Sequence, residues 1–243
     1  MSKVAKKSVT ILHLYPEELN IYGDRGNIIT LTKRLEWRGY QVEVVRAGVG
    51  DKIDIKRADL IFGGGGQDRG QIAVGKDLQR HAKALHAAAA DGVPMLAICG
   101  TYQLFGRGFT TLEGETIPGI ALFQARTIGS TQRMIGNVSI DTTFGRLEGF
   151  ENHSGRTLLE EGQVAFGSVV RGFGNDGTSG NEGAVVNNVY GTYLHGPVLP
   201  KNPDFADALI LAALKRSQGV QSLEPLDDTI ERAAASSAAA RPQ

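Results

Sequence analysis

The first hundred residues alternate between short apolar runs and longer segments of helical periodicity, and this alternation limits the possible folds more than any other feature. Strands are predicted at Val9–Leu14, Tyr40–Val45, Leu60–Phe62 and Val93–Ile98. Helices are predicted at Asp24–Arg38, at about Gln71–Ala90 and from Cys99 onward. Because strands separated by helices pair in parallel, we predict an α/β fold with an open, mainly parallel sheet and helices on both faces.

The chain changes character after about residue 114. Between residues 114 and 193 the segments are short, punctuated by glycine and rich in Thr and Val, which predicts several strands joined by long loops. A last helix is predicted to begin at Asn202-Pro203, with the asparagine as its cap. Its buried face should comprise Phe205, Ala208, Leu209 and Ala212. We divide the chain into a domain over residues 8–216 and an Ala/Ser-rich tail over 217–243, which forms a short helix or stays loose.

The composition narrows the class of protein. Lys and Arg together number 26, as do Asp and Glu, so no excess of positive charge points to nucleic acid or to an anionic membrane. A single cysteine excludes an internal disulfide and suits a reducing compartment. We find no apolar stretch suited to export or to spanning a bilayer, so we expect a cytoplasmic enzyme or enzyme subunit.

The single cysteine, Cys99, lies where an apolar strand runs directly into a helical segment. A side chain at such a turn is lifted clear of the sheet, and its sulfur lies near a helix N-terminus, where the dipole favours the nucleophilic thiolate. The arrangement is that of a nucleophile elbow with cysteine in place of serine. The alternative is a buried structural cysteine that packs as a small hydrophobe.

Two further features lie at predicted strand ends, where ligands bind in open α/β sheets. A run of four glycines, residues 63–66, follows the Leu60–Phe62 strand and exposes backbone N–H groups that can stabilise an oxyanion; alone, it also fits a flexible turn. His195 follows the apolar segment 189–194 and is the best candidate to take the proton of Cys99. His153 is its rival, whereas His13 falls in the first strand and His81 and His86 should lie on the solvated side of the long helix.

Four motifs of the chain, taken in their order, resemble those of the triad-type (class I) glutamine amidotransferases. Within that family they resemble the cobyric-acid-synthase-type branch. Within that branch the motifs resemble more closely those of the GatD family, the glutaminase subunits of lipid II isoglutaminyl synthase. The motifs are LNIYGDRGN at 19–27, GGGQDR at 64–69, FENH at 150–153 and YLHGP at 193–197. The resemblance extends from about Ile11 to Lys215 and implies the class I amidotransferase fold.

The resemblance implies a role for each matching residue. Cys99 would attack the side-chain amide of glutamine, with His195 as base and then as acid toward the leaving ammonia. The backbone at Gly64, Gly65 and Gly100 would hold the oxyanion.

Substrate binding and the third catalytic residue follow from the same resemblance. Arg133 matches the arginine that handles the glutamine substrate, and its guanidinium suits a carboxylate; Gln103 is a second substrate contact. The class carries a glutamate two residues after its histidine, but this chain has Pro197 there. We therefore predict that a partner supplies the orienting carboxylate in trans. Three acids of this chain are the alternatives: Glu182, Asp204 and Asp207.

The family also implies what receives the ammonia. A separate Mur-ligase-like subunit, MurT, would bind ATP and Mg and activate the D-glutamate α-carboxyl of lipid II, whereas this chain would carry no cofactor and no metal. Three alternatives remain: a glutaminase for another synthetase, such as one of corrinoid amidation; a Cys–His hydrolase of similar fold, such as a peptidase; and a non-catalytic interaction subunit.

Overall fold

A computed structural model of the chain describes residues 7–66 and 68–241, and strands and helices alternate through its first hundred residues. The strands are β1 (Ser8–Leu14), β2 (Gln41–Ala47), β3 (Leu60–Gly63), β4 (Met95–Ile98), β5 (Gly108–Thr110), β6 (Thr116–Pro118), β7 (Ala125–Ile128), β8 (Met134–Thr142), β9 (Gly145–His153), β10 (Arg156–Leu159), β11 (Gly167–Arg171), β12 (Asn181–Glu182), β13 (Ala184–Val186) and β14 (Val189–Thr192). The helices are α1 (Arg25–Trp37), α2 (Asp68–Leu78), α3 (Ala82–Ala90), α4 (Gly100–Phe105), α5 (Pro203–Gln218) and α6 (Thr229–Ala239). The four strands predicted in this region are confirmed as β1 to β4, and the helices predicted at Asp24–Arg38 and from Cys99 onward are confirmed as α1 and α4.

The main sheet has six strands in the order β13–β14–β4–β3–β1–β2. All pairs are parallel except β13–β14, so the predicted mainly parallel sheet is confirmed. Its central strands β3 and β4 are buried along their whole length, as expected of parallel strands covered on both faces. The carboxyl ends of β1, β3, β4 and β14 meet at one edge, where the predicted site residues follow them.

The strands β5 to β12, between α4 and β13, form two smaller sheets, in agreement with the strands predicted for this region. One has the order β10–β7–β5–β6 and the other β12–β11–β8–β9. Strand β9 ends at His153, and its Phe150 exchanges two backbone hydrogen bonds with His195. The smaller sheet that contains β9 is therefore fixed to the segment that follows β14.

The single helix predicted over Gln71–Ala90 is wrong, because a short 3₁₀ turn at Gln79–His81 separates α2 from α3. The carboxylate of Asp77 accepts hydrogen bonds from the Tyr15 hydroxyl and the Gly50 N–H, both at 3.1 Å, and so fixes the end of α2. The turn directs His81 inward, where it is 9% exposed and lies 3.6 Å from Asp77. His81 is therefore not on the solvated side, whereas His86 is exposed.

Helix α5 begins at Pro203 as predicted, but the side chain of Asn202 does not cap it. Instead its amide accepts from the Glu148 N–H and donates to the Glu148 carbonyl, both at 2.9 Å, which attaches α5 to β9. Of the predicted buried face, Phe205 and Leu209 are buried and the two alanines are partly exposed.

The tail forms the helix α6, which the sequence allowed. None of its residues is buried, yet ion pairs hold the segment to the domain. Arg34, which is almost fully buried, pairs with Asp228 at 2.6 Å, and Arg232 pairs with Asp204 at 2.9 Å. Residues 1–6, 67, 242 and 243 lie outside the described residues, so the Gln67 of the GGGQDR motif is not placed. Among the described residues, no helix combines the length and apolarity needed to cross a bilayer.

Candidate active site

Cys99 occupies a sharp turn between β4 and α4. Its backbone has φ 46° and ψ −101°, a left-handed conformation that residues with a Cβ rarely adopt and that is held only where the surroundings enforce it. The Cys99 N–H donates to the carbonyl of Thr192 at 2.9 Å, which ties the turn to the end of β14. The side chain is 5% exposed and lines a cavity, so the predicted elbow geometry is present.

His195 lies just beyond β14, and its imidazole is fully buried. Its backbone N–H donates to the Phe150 carbonyl at 2.7 Å, and the ring of Tyr22 contacts it edge-on at a centroid distance of 5.0 Å. A methyl group added at Gly65 would lie 2.6 Å from Cε1 of His195 and 3.2 Å from Cβ of Cys99. The glycine therefore sits where these two side chains converge, and any larger residue would collide with the histidine.

Asp24, which precedes α1, supplies a carboxylate to His195. Its Oδ1 accepts from Nδ1 of His195 at 3.2 Å, and its Oδ2 accepts from the Gly65 N–H at 2.7 Å. Both the acid and the imidazole are buried. The prediction that a partner supplies the orienting carboxylate in trans is contradicted by this contact, because an acid of the chain itself already reaches His195.

The three acids named as alternatives do not accept a hydrogen bond from the histidine. Asp204 and Asp207 form ion pairs with arginines. Glu182 accepts from the Tyr193 N–H at 2.6 Å and from the Thr192 hydroxyl at 3.0 Å, so it fixes the backbone just before the histidine. Its burial raises the pKa of its carboxyl to about 8.

The electrostatics of His195 follow from its two charged neighbours. Burial alone would lower its pKa, but the negative charges of Cys99 and Asp24 and the hydrogen bonds to them outweigh burial and raise the pKa to about 10. Nδ1 is engaged by Asp24, and Nε2 is buried with no nitrogen or oxygen partner among the described residues. The imidazole can therefore stay protonated at neutral pH, with its Nε2 proton available for donation.

The glycine loop after β3 contributes backbone groups, though not all of those predicted. The Gly65 N–H is already donated to Asp24, so it is not free for an oxyanion. Gly64 uses its carbonyl to accept from the Thr101 hydroxyl at 2.7 Å. Gly66 lines the cavity, and its nitrogen lies 3.0 Å from where a Cβ of Gly100 would stand. The backbone of Gly66 and Gly100 thus lies side by side next to the cysteine.

The cavity over the cysteine has a volume of about 400 Å³, and Arg133 stands in its wall. Arg133 Nε donates to the side-chain carbonyl of Asn152 at 2.5 Å, and Nη2 donates to the Tyr22 hydroxyl at 3.1 Å. The guanidinium is therefore held between the segment before α1 and the end of β9. The remaining lining residues are Ile21, Gly66, Gln71, Gln103, Phe109, His153, Ser154 and Gly155.

Two predicted polar residues belong to the floor of this cavity. Gln103 donates to the Tyr193 hydroxyl at 3.1 Å and accepts from Gln71 at 2.7 Å, so both ends of its amide are engaged. His153 stacks on Tyr193 at a centroid distance of 3.6 Å, and its Nδ1 lies 2.8 Å from the Gly155 carbonyl. His153 lines the cavity, and its Nε2 lies 3.8 Å from the Glu151 carboxylate, farther than the 3.2 Å between Nδ1 of His195 and Asp24. Within the described part of the chain, no cluster of His, Cys, Asp and Glu is arranged to hold a metal ion.

Sequence reasoning missed Asp24, although the residue stands inside the motif at 19–27. The signal was its position: it precedes α1 in the connection that follows β1, at the same sheet edge as the residues after β3, β4 and β14. The residue two positions after His195 is Pro197, which has no side-chain acceptor, so the neighbours of the histidine in sequence do not indicate the acid.

Comparisons with known proteins identify the family and the fold. Residues 10–203 match the CobB/CobQ-like glutamine amidotransferase domain. The chain is 40% identical over 209 residues to the GatD subunit of the lipid II isoglutaminyl synthase of Staphylococcus aureus, covering 86% of this chain and 85% of that one. It is 37% identical to the GatD subunit of Streptococcus pneumoniae, covering 87% and 82%. A glutamine amidotransferase crystal structure from Thermotoga maritima has a TM-score of 0.54 at 14% identity, covering 95% of this chain and 90% of that one, which shows a shared fold.

Proposed function

Because the chain belongs to the CobB/CobQ-like glutamine amidotransferase family, we propose that its site hydrolyses L-glutamine and that the chain is the glutaminase subunit of a lipid II isoglutaminyl synthase. The observation that supports the hydrolysis is the chain of contacts from Asp24 to His195 beside Cys99, on a cavity that also holds Arg133. The nearly full-length similarity to two GatD subunits supports the assignment to this synthase.

The chemistry is nucleophilic catalysis in two halves. The Cys99 thiolate attacks the side-chain amide carbon of glutamine, and His195 gives its Nε2 proton to the nitrogen as the C–N bond breaks and ammonia leaves. In the second half, neutral His195 takes a proton from water as the oxygen attacks the thioester carbon. The C–S bond then breaks, which restores the thiolate and releases glutamate. Asp24 keeps the Nδ1 proton in place throughout, so that Nε2 always faces the reacting atoms.

Two sets of groups bind the substrate in this proposal. The N–H groups of Gly66 and Gly100 stabilise the oxyanion, with Gly66 replacing Gly65 because the latter already donates to Asp24. The Arg133 guanidinium binds the α-carboxylate of glutamine, while Gln103 supports the cavity floor from beneath.

Substitution of Arg133 by alanine is expected to raise the KM for glutamine about 10- to 100-fold, the scale of one lost charge-assisted hydrogen bond. Ammonia-dependent amidation by the assembled complex should be retained, since it bypasses the glutamine site. Steady-state kinetics with glutamine and with ammonium chloride measure both. Arg126→Ala, which removes an exposed arginine paired with Glu160, is the matched control. Loss of the ammonia-dependent activity as well would assign Arg133 to the subunit interface or to the fold.

The pH profile provides a second test. Because the His195 pKa is raised to about 10, the imidazolium acid persists through neutral pH and is lost only as the pH rises through about 10. Glutamine kcat/KM should therefore hold up to that range and fall above it, with circular dichroism verifying the fold at each pH. In Asp24→Asn the fall should begin at lower pH, since one of the two raising charges is gone. A wild-type fall between about pH 6 and 7, as for an ordinary imidazole, would contradict the assignment.

The ammonia released here would pass to a separate Mur-ligase-like subunit, MurT, that binds ATP and Mg and amidates the D-glutamate α-carboxyl of lipid II. We place both subunits in the cytoplasm. The test is transfer of ¹⁵N from the amide of labelled glutamine into lipid II by the co-purified complex. Label appearing in a corrinoid acceptor instead would support another synthetase, and cleavage of peptides without glutamine hydrolysis would support a peptidase.

A further inference from the structure

One face of helix α1 is exposed although it carries large apolar side chains. Arg25, Ile29, Lys33 and Trp37 follow one another at four-residue intervals and so share one side of the helix, and Tyr22 lies one turn before them. Ile29 is 52% exposed, Trp37 60% and Tyr22 39%. The opposite side of the helix packs into the core. We call these five residues the α1 surface. Exposed apolar side chains gathered on one face indicate an interaction site.

The α1 surface begins at the catalytic cavity. Tyr22 lines that cavity, touches the ring of His195 and accepts a hydrogen bond from Arg133 at 3.1 Å. A protein that covers the α1 surface from Trp37 to Tyr22 therefore reaches the edge of the cavity where ammonia is released.

A second cavity, of about 460 Å³, opens beside the α1 surface. Its charged lining comprises three cations, Arg25, Lys33 and Arg46, and one acid, Glu17. Arg46 pairs with Glu17 and Lys33 with Glu36, whereas Arg25 has no ion pair within the described residues. The apolar part of the lining is Pro16, Ile28, Ile29 and Val44. The cavity thus has a partly apolar lining and one cation, Arg25, that has no ion-pair partner within the described residues.

His13 at the base of this cavity gives a second observation that points to a ligand. The side chain is 4% exposed, and its Nε2 is buried with no hydrogen-bond partner among the described residues. Burial lowers the pKa of His13 to about 4, and the charges of Arg46 and Arg25 act in the same direction. The cavity therefore carries more cations than acids and holds an unpaired polar atom. In the tautomer with the proton on Nε2, that atom is a donor, which an acidic side chain would satisfy.

We infer that the α1 surface is the docking site for the synthetase subunit, and that this partner places an acidic side chain flanked by apolar ones in the second cavity. The inference rests on the proposed function, because only ammonia transfer requires a protein to sit beside the catalytic cavity. Ammonia that enters bulk water is protonated and ceases to be a nucleophile, so the partner must cover the cavity mouth, and the α1 surface lies at its edge.

A second copy of this chain fits the surface less well. In a two-fold dimer the same patch meets itself, so Arg25 of both copies, which has no ion pair within the described residues, would lie in one small interface. Like charges at an interface oppose association, whereas an acidic side chain of a different partner could pair with Arg25. Charge complementarity therefore favours a different chain.

The test compares substitutions on two exposed helices. Ile29→Glu and Lys33→Glu should each raise the Kd for the purified Mur-ligase-like subunit at least about 30-fold, the hot-spot scale. Ile230→Glu on α6, at a residue that is 80% exposed, is the matched control and should leave the Kd unchanged. Trp37 is the only tryptophan, so 5-fluorotryptophan in this chain alone gives one ¹⁹F resonance, which should shift when unlabelled partner is added.

The outcomes of these experiments distinguish a wrong docking site from a wrong glutaminase proposal. Glutamine hydrolysis by the isolated Ile29→Glu chain should equal that of the wild type, because the residue lies outside the catalytic cavity. An unchanged Kd for both substitutions, or an unshifted ¹⁹F resonance in a formed complex, would overturn the docking site while leaving the glutaminase proposal intact. Dimerisation of the isolated chain that Ile29→Glu abolishes would assign the surface to a second copy instead.

Discussion

We expect Cys99→Ala to lower glutamine hydrolysis by about 10⁶-fold, to the level supplied by binding alone. The reason is that no other side chain of the cavity can form the thioester. The wild-type chain should be labelled once by the glutamine analogue diazo-oxo-norleucine. Because Cys99 is the only cysteine, mass spectrometry of the labelled peptide identifies the modified residue without competing thiols.

The control for this prediction is ammonia-dependent amidation, which Cys99→Ala should leave intact in the complex. Retained glutamine hydrolysis in Cys99→Ala would favour a non-catalytic cysteine and an interaction subunit. A label found elsewhere on the complex would also remove Cys99 from the role of nucleophile.

The second large effect concerns Asp24. Asp24→Asn should lower glutamine turnover by about 10⁴-fold while retaining the fold. The Gly65 N–H can only donate, so it keeps the oxygen of the new amide, and the NH₂ group then faces Nδ1 of His195. Nδ1 must become an acceptor, which moves the proton of neutral imidazole to Nε2. The ring can then no longer take a proton at the atom that faces the substrate.

Asp204→Asn is the matched control, since it neutralises an exposed carboxylate paired with Arg232 and should change turnover little. ¹⁵N NMR of the imidazole would show the change of tautomer directly. Turnover of Asp24→Asn within a few-fold of the wild type would mean that another group orients the histidine. A wild-type chain that hydrolyses glutamine only when the partner is added would restore the case for an acid supplied in trans.

The order of strands and helices could be predicted because local patterns decide it. Alternating apolar runs and helical periodicity gave β1, α1, β2, β3 and β4 within two residues of their ends. The break between α2 and α3 could not be predicted, since it depends on Tyr15 and Gly50 fixing Asp77 from distant parts of the chain. The prediction that Asn202 caps α5 is wrong for the same reason, because its amide forms hydrogen bonds with the backbone of Glu148 rather than with its own helix.

The residues of the candidate site also differ in whether local sequence patterns could indicate them. Cys99 and His195 could be proposed because each follows a strand, and the structure brings them together at Gly65. Asp24 was missed because its contact with His195 joins residues separated by 171 positions, and no local pattern encodes such a pairing. The oxyanion donors could not be predicted fully because Asp24 was missed. Its carboxylate accepts the hydrogen bond of the Gly65 N–H, which leaves the Gly66 N–H as the candidate donor.

The distance along the chain between Asp24 and His195 has a consequence for biosynthesis. Asp24 is synthesised early, Cys99 next and His195 late. A growing polypeptide therefore carries Cys99 without its histidine until β14 and the residues after it have left the ribosome. A prematurely terminated product lacking residue 195 would therefore hold a thiol without its base. In the proposed mechanism such a fragment would have no glutaminase activity, because no imidazole could protonate the leaving ammonia.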